Sequence, residues 1–374
     1  MSGPPTVPGR RPPLLLVVLA LVLACLTVGA GTAYLLRPPM TADELAVARA
    51  VPSVSPQAPV GREEATGLHV YLVPHPDDEL SGWTSLVDAP GLYPVVVLLT
   101  AGEETQRCTP DGPSGHLQTE LGEVPPEPYP AAGGGSAACG QARLGSFRAA
   151  LDAAAEHSPV VAGLGADDGR AVDLDLGAGT LTVGAHASLV ALDLGDGRLS
   201  AAAVRTAVLE VLALRGNHLP DLPISRVTAS AYVAHGPDEP REDAGGDGRE
   251  RDGGGCVVRA LCPEDDGPYV YAHPDHLATH EAARALAPEA EEGAWLVTST
   301  YDRAAEVHRA LPREMYDAFV ALGSGGPDRA ERIGSYQRIY GWLAFPDVWR
   351  PGDLPLDSEQ VLFPRVQSFE VVRP

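Results

Sequence analysis

The run His75-Pro76-Asp77-Asp78-Glu79 places one imidazole and three carboxylates directly after the apolar stretch Leu68–Val73. About two hundred residues later, Tyr271-Ala272-His273-Pro274-Asp275-His276 supplies a second packet of histidines and a carboxylate at the start of a helical pattern. Zinc hydrolases commonly use three His or Asp/Glu ligands and leave a fourth position for water. His75, Asp78 and His276 fill that list. The spacing of His75 and Asp78 lets both face one point if a tight turn follows the strand, and Asp77 is then free to face the attacking water as a general base. A metal of this type lowers the pKa of bound water to about 7. Amide hydrolysis further needs a donor for the oxyanion and a proton for the leaving amine. His273 suits those two jobs, Asp275 can orient its ring or support a ligand from behind, and Tyr271 reaches the same mouth as a further donor. Two imidazoles and one carboxylate would also accept iron or cobalt.

Parallel sheets in α/β proteins present such packets at the carboxyl ends of their strands. The order from Leu68 fits. Strand Leu68–Val73, helix Leu80–Val87 and strand Val95–Leu99 form a β-α-β start. A helix over 141–156, a hairpin or insertion between 162 and 184, a strand from Ser188 turned by Asp196-Gly197, and a helix capped by Ser200 and running to about Arg215 follow. Strand 225–234, a helix from about His276 to Leu286, strand 295–300 and a helical Arg- and Tyr-rich stretch to about Trp342 complete the pattern. Glu79 reads as a carboxylate at a helix N-terminus, favoured by the dipole.

With these elements in place the chain resembles the LmbE/PIG-L family of zinc-dependent N-acetylglucosaminyl deacetylases. The resemblance rests on PHPDDE, on Thr100-Ala101-Gly102-Glu103-Glu104 after the second strand, on Arg143-Leu144-Gly145, and on YAHPDH, in that order over about residues 67–300. It implies a Rossmann-like parallel sheet sandwiched by helices and removal of an acetyl group from an N-acetylated amino sugar in a glycolipid, cell-surface glycan or glycoside. It also implies Zn2+ held by His75, Asp78 and His276, with Asp77 as base, His273 as acid or oxyanion donor and Asp275 as its partner. Tyr271 and Arg143 match positions that contact substrate or intermediate in some members. The family helix often reads Arg-x-x-Glu, whereas this chain has Ser146, which bears on the substrate. A surface carbohydrate-binding module on the same fold, and a zinc amidase acting on a non-sugar amide, are the alternatives.

The remainder of the chain sets the context. Of 374 residues, the basic ones are all arginine and the formal charge is −23. The absence of lysine excludes Schiff-base chemistry and a P-loop, and so acidic a chain is a poor partner for nucleic acid. Residues 1–13 read as a cytoplasmic N-terminus. Leu14 to Leu36 carry no charge and match a hydrocarbon core of about 30 Å. Arg10 and Arg11 precede that run, which orients the rest outward. The expectation is a single-pass anchor in the cell membrane with an extracytoplasmic domain, or a secreted protein if the segment is cleaved. Residues 37–65 read as a linker and 66–374 as the deacetylase domain, with a flexible acidic insertion near 236–255. Four cysteines lie beyond the anchor. Proximity favours pairing Cys108 with Cys139 and Cys256 with Cys262, among three possible pairings.

Overall fold

A computed structural model describes residues 42–55, 58–104, 135–165, 171–174, 179–230, 273–298, 305–320, 334–340 and 365–374. The N-terminal apolar run, Tyr271, the acidic insertion, and Cys108, Cys256 and Cys262 with the pairings expected of them lie outside these residues. Among the described residues no helix is long and apolar enough to cross a membrane.

The domain is a mixed α/β structure around one nine-stranded sheet. After helix α1 (Ala42–Arg49) come β1 (Gly67–Val73), α2 (Trp83–Val87), β2 (Leu92–Leu98), α3 (Gly135–Ala155), β3 (Ala171–Asp173), β4 (Thr180–Val183), β5 (Ser188–Ala191) and α4 (Ala201–Leu212). Then follow β6 (Ile224–Ala229), α5 (Pro274–Leu286), β7 (Ala294–Val297), β8 (Val307–Ala310), α6 (Arg313–Met315), α7 (Ser335–Tyr340) and β9 (Val366–Val372). The sheet order is β3-β4-β5-β2-β1-β6-β7-β9-β8. Its middle, β5-β2-β1-β6-β7, is parallel throughout. Antiparallel strands extend both edges.

Every residue of β1 and β2 is buried, as two-sided coverage requires of GLHVYLV and LYPVVVL. Tyr71, Val73, Val96 and Leu98 join the core beneath α2 and α3, while Leu68, Val70, Leu72, Val95 and Val97 join the core beneath α4 and α5. The period-2 alternation thus divides one strand between two cores. Chain order runs outward from β1 through β2 to β5, then returns to β6 on the other side of β1. The sheet therefore changes direction between β1 and β6, and crevices at such points receive ligands beyond the strand ends.

Two sequence expectations meet a different structure. Part of the stretch read as a linker is folded onto the domain: Ala48 and Val54 are buried, Ser53 bridges to Ala310, and the Val54 N–H donates to the Ala310 carbonyl. The tail read as helical contains β8, and a final strand, β9, is inserted between β7 and β8. Val307-His308-Arg309-Ala310 has no long apolar run, because an edge strand needs only one covered face.

Candidate metal centre

The two packets meet at the point where the sheet changes direction. β1 delivers His75 through Asp78. The Asp78 carbonyl is pinned by hydroxyl donors from Ser81 at 2.8 Å and from Ser230, just past β6, at 2.6 Å. On the other side, His273 is the N-cap of α5, followed by Pro274 in the first turn. One helical turn then carries Asp275 and His276 inward, and both are buried.

Asp78 Oδ2 lies 3.0 Å from His75 Nδ1 and 3.1 Å from His276 Nε2. The ring centroids of His75, His273 and His276 stand 4.9 to 5.4 Å apart. On its far side, His75 Nε2 is 3.0 Å from Asp275 Oδ2 and 3.2 Å from Asp196 Oδ1. Asp275 is wholly enclosed and accepts backbone N–H groups from Gly197 at 2.7 Å and Leu199 at 3.0 Å. Of the two places the sequence allowed Asp275, orienting the His273 ring or supporting a neighbouring residue from behind, its contacts match the second. Its carboxylate serves His75, and His273 instead accepts the Asp275 backbone N–H on Nδ1 at 3.3 Å.

Two overlapping groups have ligand atoms within 4.8 Å of one another, His75/His273/His276 and the fully buried His75/Asp196/Asp275, and can hold a metal ion. The charge balance fits such an ion. Asp78, Asp196 and Asp275 crowd one imidazole while Asp77 and Glu79 stand adjacent, and the guanidinium among them is that of Arg143. Desolvated carboxylates at this density favour a compensating cation, a role that either a protonated His75 or a bound metal ion can fill. Imidazole with carboxylate is a donor set suited to zinc.

Electrostatics follow from the same crowding. Burial lowers the affinity of His75 for a proton, but its hydrogen bonds to Asp196, Asp275 and Asp78 together outweigh this and raise its pKa well above the usual value. Burial would raise Asp78, yet the charge of His276 and the hydrogen bonds from both rings hold it far below the ordinary carboxylate range. Asp196 is held low in the same sense, burial being outweighed by His75. Asp77 is pushed up to about 6, mainly by burial, with Arg143 opposing and Asp78 adding to the rise. His273 is lowered to about 4 by burial and by the neighbouring charges of His75 and His276. With Nδ1 accepting a backbone N–H, a neutral His273 carries its proton on Nε2.

Asp77 is the one non-glycine residue with positive φ among the described residues, at +99°. Such a conformation costs about 1–3 kcal/mol and persists only when its surroundings enforce it. Arg143 does much of this. Its Nη2 donates to Asp77 Oδ1 at 3.0 Å and to the Pro76 carbonyl, and its Nη1 donates to the Gly102 carbonyl at 2.8 Å. Arg143 is buried, and these bonds give it a role in holding Asp77 beside the substrate contact that the resemblance implies. Glu79 is likewise more than a helix-end charge: it is buried, accepts the Asp77 N–H on Oε2 at 2.9 Å, and accepts the Tyr340 hydroxyl on Oε1 at 2.9 Å.

The segment 100–104 ties these parts together. Thr100 Oγ1 donates to the Pro74 carbonyl at 3.0 Å. Gly102 has φ +67°, and a Cβ there would stand 2.2 Å from Arg143 Nη1. The Glu104 N–H donates to Asp196 Oδ2 at 2.8 Å and the Asp196 N–H to Glu103 Oε1 at 3.3 Å. Asp196 is the site residue that sequence reasoning missed, because Asp-Gly after a strand is ordinary turn chemistry. Its only signal was that the turn closes a parallel strand of the site's sheet. Ser146 is buried and donates to the Ile339 carbonyl at 3.3 Å, so α7 packs where the expected carboxylate would project.

No protein-family model matches the chain, and no curated protein matches it.

Proposed function

We propose that this chain is a metal-dependent amide hydrolase of the LmbE/PIG-L type on a Rossmann-like sheet, removing acetyl from an N-acetylated amino sugar. The observation that carries the reading is the sharing of one Asp78 oxygen by His75 and His276, from packets separated by most of the domain. His75 Nδ1, Asp78 and His276 would hold the ion. Asp275 and Asp196 face the opposite nitrogen of His75, where a carboxylate fixes the ring and raises its basicity as a ligand. Asp275 suits that supporting place better than a ligand's, since backbone N–H groups already occupy both its oxygens.

A divalent ion held there would supply Lewis-acid polarisation of the amide carbonyl and would acidify water. Asp77 takes the proton of the water whose oxygen adds to the acetyl carbon. His273, neutral and protonated on Nε2, donates a hydrogen bond to the developing oxyanion, which favours that role over the alternative of acid. The C–N bond then breaks, the amine nitrogen receives the proton held by Asp77, and acetic acid leaves and gives its remaining proton to solvent as acetate. His75, Asp78 and His276 remain fixed throughout.

One observation favours a second reading of the substrate. Ser146 lies under α7, so the pocket wall differs from the family pattern where a sugar-side carboxylate is expected. A non-sugar acetamide would use the same catalytic residues. The charge-free run from Leu14 to Leu36 supports a membrane-anchored, outward-facing enzyme. The test is acetate release by the full-length chain in detergent from N-acetylglucosamine conjugates and from simple acetamides, with zinc measured on the same sample. Chelator-sensitive release from the sugar conjugates is expected. A zinc-loaded chain inert towards both classes would overturn the reading.

A further inference from the structure

We infer that helix α7 is part of the catalytic apparatus, and that Tyr336 and Tyr340 act as positioning residues that fix Asp77 in its left-handed conformation. The inference rests on the proposed role of Asp77 as base. Tyr336 Oη donates to the Asp77 carbonyl at 2.6 Å. Tyr340 Oη donates to Glu79 Oε1 at 2.9 Å, and the other oxygen of that carboxylate accepts the Asp77 N–H at 2.9 Å. With Arg143 on Oδ1, the N–H, the carbonyl and the side chain of Asp77 each have a dedicated partner. One of these three restraints comes from α7 itself, and a second comes from Glu79, which α7 holds from about 260 residues later in the chain.

The tyrosines are themselves anchored. Both are buried, their rings lie 4.7 Å apart, and Phe319 packs 5.6 Å from Tyr336. α7 also lies along α3, where Ser146 meets the Ile339 carbonyl one turn beyond Arg143. Helix α3 and helix α7 thus grip opposite ends of the same strained residue. A backbone hydrogen bond to a strained carbonyl fixes peptide orientation, and a shift of about 1 Å in a catalytic group can cost about 100-fold in rate. Neither hydroxyl touches the proposed ligand atoms, so the effect is one on rate and not on metal loading.

Tyr336→Phe and Tyr340→Phe keep the rings and remove only the hydroxyls. In the full-length chain, assayed on an N-acetylglucosamine conjugate, each is expected to lower kcat roughly 10- to 100-fold with KM and bound zinc unchanged. In an Asp77→Asn background the same changes add less than about 2-fold, because the residue they act through is already disabled. Glu79→Gln retains an acceptor for the Asp77 N–H and recovers most of the rate, whereas Glu79→Met does not. Loss of zinc in step with rate, or full additivity with Asp77→Asn, would overturn the inference. If the unaltered chain turns over no acetylated probe, the functional reading fails on its own, and backbone hydrogen exchange across 75–79 decides the inference. Faster exchange there by about tenfold in the Phe variants, with the rest of the sheet unchanged, upholds it, and unchanged exchange rejects it.

Discussion

His75 and Asp275 are 200 residues apart in the chain, yet Nε2 of the one stands 3.0 Å from Oδ2 of the other, with both side chains buried. Asp275 in turn is held by N–H groups of Gly197 and Leu199, so the turn after β5, the packet after β1 and the start of α5 share one carboxylate. Replacement by Asn leaves an acceptor for one of these N–H groups but removes the charge behind His75. Asp275→Asn is expected to weaken zinc affinity by about 10- to 100-fold, read by chelator competition. An affinity equal to that of the unaltered chain would show that the carboxylate does not support the ligand.

Asp196→Asn tests the residue that only the structure revealed. Its Oδ2 bond from the Glu104 N–H can survive in the amide, while the anionic contact to His75 is lost. A smaller loss of zinc affinity than in Asp275→Asn is expected, because Asp196 is the more distant partner. A larger loss would promote Asp196 to a direct ligand within the His75/Asp196/Asp275 group.

Gly102→Ala should be costly although glycine bears no chemistry. The added Cβ would collide with the Arg143 guanidinium, and φ +67° disfavours any side chain. A loss of about 1–3 kcal/mol in unfolding free energy is expected, with a fall in turnover beyond what the remaining folded fraction explains. Unchanged kinetics would mean that Arg143 can release the Gly102 carbonyl without disturbing Asp77.

Away from the site, His69 on β1 is fully buried, with Nε2 2.9 Å from Thr228 Oγ1. Burial, assisted by the charge of Arg226, lowers its pKa well below 6.5. Between that folded value and 6.5 the unfolded chain binds a proton that the folded chain refuses. Stability is therefore full above pH 6.5 and falls as the pH drops below it, by up to about 1.4 kcal/mol per unit. Denaturant titrations of the unaltered chain and of His69→Gln from pH 5 to 8 should differ by that slope below 6.5. Parallel curves would contradict the assignment.

The parallel middle of the sheet was legible because its strands are continuous apolar runs, and the two His/Asp packets were legible as a candidate metal centre because strand ends are where such sheets bind ligands. Ser200 was readable as a helix cap, and its Oγ does accept the Ala203 N–H. What was not legible depends on contacts distant in sequence. Asp196 looks like a turn residue until Glu104 and His75 are seen on either side of it. The bonds from Arg143 to the Gly102 and Pro76 carbonyls have no local signal in the sequence. The tyrosines of α7 carry no motif at all, and the place of β9 between β7 and β8 is set by the sheet rather than by local pattern.

Measuring bound zinc per chain in full-length His276→Ala and Asp77→Asn, beside the unaltered protein, tests the convergence of the two packets most directly. The account predicts about one zinc in the unaltered chain, near-complete retention in Asp77→Asn with turnover reduced by about 100-fold or more, and loss of zinc in His276→Ala. Equal zinc in all three proteins, or equal loss from both variants, would contradict it.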